Sequence, residues 1–222
     1  MRWRRRLGWN PHDLGWRIAV LFIVGSFLFA LGSFPPYSQL LDGRIVGITF
    51  VIGSLFFTTA GYLAFVQVIN DDSGSAAPAR RWAWSPRTTS WWAAFIQLIG
   101  TLLFNVNTIL AMVQTFTVEE TNRLVWAPDF FGCTAFLVAS HLYWTNTCGR
   151  LWCTDTDDPN WWSSLLNYGG SIAFMASAIA AFTLETTGEA INITIVNTGT
   201  FIGAVCFLVG ADLLLPPAPE KR

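Results

Sequence analysis

Charge is scarce in this sequence. Asp, Glu, Lys and Arg make up 12% of its 222 residues, where a soluble domain carries about 25%. The deficit excludes an ordinary solvated surface. The charges are also unevenly placed, so the net value of −1 is uninformative. The one basic run, MRWRRR, abuts a hydrophobic segment and has no interleaved aromatic patch. That argues against a nucleic-acid partner and for membrane topology. Histidine is limited to His12 and His141. Only His141 falls in a long apolar segment, which leaves no ligand pair for haem, and His12 reads as solvated surface. Cysteine is limited to four. Cys133 and Cys206 fall in apolar segments and read as packing residues. Cys148 and Cys153 share TCGRLWCTDTDD, with neither a CxxC nor a nearby His to complete a zinc set. They are expected to be reduced, unpaired thiols. No nucleophile–base constellation, phosphate loop or carboxylate pair stands out. No catalytic residue, metal or cofactor is therefore assigned.

Hydrophobic residues, in contrast, make up 53% of the chain, with 12 Trp and 18 Phe. Six segments are long enough to cross a bilayer as helices, which takes about 20 residues: 16–34, 44–69, 91–117, 126–146, 161–184 and 190–215. The first is not followed by a small-residue cleavage site, so it is expected to be a span and not a signal peptide. Arginine sets the expected orientation. Arg2, Arg4, Arg5, Arg6, Arg17, Arg80, Arg81, Arg87, Arg150, Lys221 and Arg222 fall on one side; Arg44 and Arg123 fall on the other. The positive-inside rule then puts both termini in the cytoplasm of a bacterial inner-membrane protein.

The spans repeat. WRIAVLFIVGSFLF, WWAAFIQLIGTLLF and WWSSLLNYGGSIAF all fit W-x8-G-[ST]-x2-F. The matched positions are Trp16, Gly25, Ser26 and Phe29; Trp91, Gly100, Thr101 and Phe104; Trp161, Gly170, Ser171 and Phe174. Spans 2, 4 and 6 share G-x3-F-x3-small-x-L, carried by Gly53, Phe57, Gly61 and Leu63; Gly132, Phe136, Ser140 and Leu142; Gly203, Phe207, Ala211 and Leu213. An approach segment, W-x-P-x4-W, recurs at Trp9–Trp16 and Trp84–Trp91. The expected fold is all-α: a polytopic membrane protein of six helices, built as three hairpins of parallel topology at about 9–70, 84–146 and 158–215, with a cytoplasmic linker over 71–83. A pseudo-three-fold bundle is the natural arrangement of such copies. Gly25, Gly53, Gly61, Gly100, Gly132, Gly170 and Gly203 are expected at close helix contacts, because helices in lipid associate by close packing and hydrogen bonds.

The first hairpin, FIVGSFLFALGSF…GITFVIGSLFF, resembles the YrhK-like domain, a short bacterial two-helix membrane domain with Gly-Ser and aromatic residues in each helix. The resemblance covers Trp16 to about Asn70, and spans 3–6 resemble diverged copies behind it. It implies no reaction, cofactor or catalytic residue.

Several polar residues within the spans are candidates for function. The repeat register makes Tyr62, His141 and Asp212 equivalent. At one depth in a pseudo-symmetric bundle they would make a proton relay or ion site. Their place near the cytoplasmic ends, beside Tyr143 and Trp144, equally suits an interfacial belt. Span 3 carries Gln97, Thr101, Asn105, Thr108 and Met112 on one helix face. Span 5 has Asn167 at the position of Gln97, and span 1 has Phe22. A conduction path lined by all three copies would be polar in all three, so this stripe reads as interhelical bonding. Asp129 follows Pro128 and reads as a first-turn acid at the start of span 4. Glu185 and Glu189 read as a solvated loop. These features imply a non-catalytic membrane component that binds the lipid bilayer and a membrane partner or another copy of itself. Permeation of a proton, small ion or small solute is the competing reading.

Overall fold

The computed structural model describes residues 9–71, 80–113 and 115–215. The basic run with Arg2, Arg4, Arg5 and Arg6, most of the 71–83 linker, and the tail with Lys221 and Arg222 lie outside the described residues.

Hydrogen-bonding side chains start most of the long helices. The Asp13 carboxylate accepts from the Trp16 N–H at 2.7 Å and opens α1 (Leu14–Ser33). The Thr88 hydroxyl accepts from the Trp91 N–H at 3.1 Å and opens α4 (Thr89–Leu110), after α2 (Pro35–Leu40) and α3 (Gly43–Asp71). A capping box at Thr117 and Glu120 opens α5 (Val118–Thr121). Glu120 accepts from the Thr117 N–H and hydroxyl, which holds its carboxyl below the usual range. A π-helical segment, Asn122–Trp126, then runs directly into α6 (Ala127–Cys148). Asp158 and Asn192 cap α7 (Pro159–Ala180) and α8 (Ile193–Leu213). α1, α3, α4 and α8 are each long and apolar enough to cross a membrane. α6 and α7, at 22 residues each, match α4 in length but are more polar.

The six long helices close a ring: α1 lies beside α3, then α4, α6, α7 and α8 follow, and α8 returns to α1. Phe29, Phe104 and Phe174 meet on the axis of that ring, with ring centroids 6.0–6.3 Å apart. Phe57, Phe136 and Phe207 form a second triangle at 5.6–6.2 Å. The triangles contact through Phe29–Phe57, Phe104–Phe136 and Phe174–Phe207, at 5.4, 5.0 and 5.5 Å. None of the six rings is more than 6% exposed. This waist is apolar and close-packed. Ile52, Leu55, Leu102, Ile172, Ile202 and other large apolar side chains face outward, as a lipid-embedded surface requires.

The glycines bring the backbones together beside the waist. A Cβ on Gly25 would lie 3.1 Å from the Gly53 carbonyl oxygen; on Gly100, 3.1 Å from that of Gly132; on Gly170, 3.0 Å from that of Gly203. Gly61 faces a different neighbour, Thr101 of α4. The recurring Gly and Phe thus act together, since a Cβ on Gly53 or Gly132 would strike the Phe29 or Phe104 ring at 2.9 or 2.8 Å.

The structure corrects three expectations. α4 ends at Leu110, short of the 117 expected for span 3. Asp129 caps no free helix end, because the chain is already helical from Val118 through Trp126. The π segment accommodates Pro128, which has no N–H to donate, and the Asn107 amide donates to the Val125 carbonyl at 3.0 Å. Finally, Cys148 and Cys153 form a disulfide. Gly149 adopts φ +63 after α6, and this left-handed turn brings the two Cα atoms to 5.4 Å. Sequence spacing alone gave no sign of that turn.

Candidate functional site

A cavity opens at each end of the ring, and the Phe waist lies between them. The proximal cavity, at the end where α1 begins, has a volume of about 430 Å³ and takes residues from all six long helices. Phe22 and Phe207 line it toward the waist; Gln67, Gln97, Asn160, Asn167 and Tyr143 supply polarity, and Asp71 supplies a carboxylate. The distal cavity holds about 340 Å³ and is again lined from all six helices. Phe29 and Phe50 line it toward the waist, with Asn107, Asn197, Thr200 and Asp129 around them and Arg44 as its cation.

The repeat register explains which residues reach these spaces. Phe22, Gln97 and Asn167 occupy one equivalent position in α1, α4 and α7, and all three line the proximal cavity. Phe50, Asp129 and Thr200 each stand three residues before the repeated glycine of α3, α6 and α8, and all three line the distal cavity. The Phe side chains of the waist are the same from helix to helix, and those of the cavity walls are not.

The span-3 stripe therefore divides. Gln97 lines the proximal cavity and Met112 the distal one. Between them, the Asn105 amide donates to the Thr58 hydroxyl at 2.9 Å, Thr58 donates to the Thr101 carbonyl at 3.2 Å, and the Thr108 and Ser54 hydroxyls lie 3.0 Å apart. These bonds tie α4 to α3, each contributing roughly 0.6 kcal/mol. The Asn105 carbonyl oxygen is buried without a partner. Asn167 lines the proximal cavity while its amide donates to the Ser163 carbonyl at 2.8 Å. Ser140 and Ser171 pair at 2.7 Å between α6 and α7.

Tyr62, His141 and Asp212 are not brought together. All three are exposed, on three different helices. The Tyr62 hydroxyl donates to the Arg81 carbonyl at 3.1 Å, and the His141 ring lies 5.8 Å from Tyr168. None of the three lines either cavity. Glu185 and Glu189 are exposed in the turn after α7, where Gly188 has φ +70.

Sequence reading passed over Asn107 and Asn197, and it gave Asp129 a capping role. Pro128 disguised that residue; a lone acid inside an apolar segment was the available signal. Among the described residues no group of three His, Cys, Asp or Glu side chains could hold a metal ion. The arrangement offers two polar pockets for binding. Comparison with known proteins finds no match to a family model, a curated sequence or a solved structure.

Proposed function

We propose that the chain is a six-span protein of the bacterial inner membrane, built of three hairpins in parallel topology with a YrhK-like first hairpin. In this reading both termini are cytoplasmic, and the protein is a non-catalytic structural or accessory component that holds a lipid or membrane partner. One observation carries the non-conducting part of the reading: six Phe rings fill the axis between the cavities. A path for an ion or polar solute would have to cross a stretch with no exposed polar group. Purified protein in liposomes should then pass protons and potassium no faster than empty liposomes. A wild-type flux well above that background would overturn the reading.

Permeation has its own supporting observation, since two cavities lined from all six helices share one axis across an apolar constriction. Apolar constrictions gate some channels by excluding water. On that reading Phe57→Ser with Phe104→Ser would raise flux at least tenfold. On the accessory reading the double variant loses stability and stays tight.

The orientation also has a test. The proposed topology puts Cys148 and Cys153 in the cytoplasm, where thiols are kept reduced. The Cys148–Cys153 disulfide stands against that placement, and a membrane-permeant maleimide in intact cells without added reductant decides between them: labelling of both thiols would support the cytoplasmic side. A disulfide that persists in those cells would turn this end of the bundle to the outside.

A further inference from the structure

Asp129 is the residue whose setting calls for a ligand. It stands inside a helix continuous from Val118 and lines the distal cavity, and its carboxylate makes no hydrogen bond or ion pair with any described residue. Among the described residues no other Asp or Glu lines that cavity. Arg44, the only cation lining it among the described residues, is exposed at the start of α3 and does not pair with Asp129. An unpaired acid at this depth is costly, so a positive partner from outside the chain would be strongly favoured. The rest of the lining narrows the partner's chemistry. Phe29 and Phe50, in edge contact at 5.4 Å, give an aromatic floor. Aromatic faces attract alkylated cations. The volume of about 340 Å³ falls at the small end of organic-ligand pockets.

We propose that the distal cavity is a binding site for a small organic ammonium ion. Its N–H groups donate to the Asp129 carboxylate, and its carbon chain lies against the Phe floor. A bare metal ion fits less well, because hard cations take about six oxygen ligands and more than one carboxylate, and Asp129 stands alone. The site does not depend on the accessory reading, since it occupies one side of the waist and needs no path across it.

The test uses the full chain in lipid nanodiscs, with n-butylammonium as probe and n-butanol and sodium at matched ionic strength as controls. Calorimetry should show saturable binding of n-butylammonium and none of n-butanol or sodium. Asp129→Asn should weaken the probe at least tenfold. Gly43→Trp is the second variant: Gly43 lines the cavity, and a Cβ there meets nothing within 4 Å. That ring should block binding while Asp129 and the waist stay intact, so the two variants test the site independently. Equal binding of n-butanol, equal binding of sodium, or undiminished binding by either variant would overturn the proposal.

Discussion

Midway along the bundle, three helices each contribute the same side chain, Phe29, Phe104 and Phe174, and the other three contribute Phe57, Phe136 and Phe207. Two turns nearer the start of α1, α4 and α7, the equivalent positions hold Phe22, Gln97 and Asn167. On the other side of the waist, equivalent positions hold Phe50, Asp129 and Thr200. The difference separates two jobs on one scaffold. Identical residues can meet about an axis only where the packing is symmetric and dry, and the repeated Gly–Phe pairs achieve that. Where the ring widens into a cavity, neighbouring copies no longer constrain one another, and each helix has its own polar or charged residue. Ligand recognition is therefore to be sought in what does not repeat.

The largest predicted effect attacks the repeated set. In Gly132→Leu the new Cβ would sit 2.8 Å from the Phe104 ring and 3.3 Å from the Gly100 carbonyl oxygen. Overpacking against a ring and a backbone carbonyl costs more than about 3 kcal/mol, and thermal unfolding in detergent should show a collapsed or absent transition. Next, Phe104→Ala should cost roughly 3 kcal/mol. Phe131→Ala, removing a ring that is 59% exposed, should change stability by less than about 0.5 kcal/mol. Equal losses for the two Phe variants would erase the distinction between waist and surface.

The third prediction turns to the unrepeated set. Asp129→Asn should stabilise the apo protein by roughly 1 kcal/mol, because an unpaired intramembrane acid is removed. Asp212→Asn, on an exposed side chain, should leave the unfolding temperature unchanged. The smallest effect concerns Ser26, which is fully buried and whose hydroxyl has no partner. Ser140 pairs with Ser171 at 2.7 Å, and the same register sets Ala211 of α8 against Ser26 of α1. Ala211→Ser should therefore gain about 0.6 kcal/mol from one new interhelical bond. No gain would mean that the register slips at the closing seam of the ring.

Repeated and unrepeated positions also differ in how far the sequence alone discloses them. The Gly and Phe positions were legible because each recurs at a fixed interval, and close packing in lipid leaves few other uses for paired glycines. The approach segments were legible as well: Trp9 meets Trp16 and Trp84 meets Trp91 at 5.1 and 5.0 Å, edge to face. The cavity walls were harder to read. Gln97 and Asn105 share one helix face, yet only Gln97 reaches a cavity, because Asn105 stands within a turn of Phe104 and the ring is narrow there. Asp129 was misread because Pro128 resembles a helix start, and nothing local shows that the helix begins ten residues before that proline, at Val118. Tyr62, His141 and Asp212 share one place in the sequence pattern, but a shared register does not tell whether a position faces the axis or the outer surface. The disulfide depended on one left-handed residue, Gly149.

The central claim is a sealed waist between two cavities that open on opposite sides, and single cysteines test it most directly. In a background without native cysteines, Gln97→Cys, Phe104→Cys and Asn197→Cys would be exposed in oriented membranes to an impermeant maleimide from each side in turn. The predicted result is labelling of the Gln97→Cys variant from one side only, of the Asn197→Cys variant from the other side only, and of the Phe104→Cys variant from neither. Labelling of Phe104→Cys from both sides, or of Gln97→Cys and Asn197→Cys from the same side, would contradict the account.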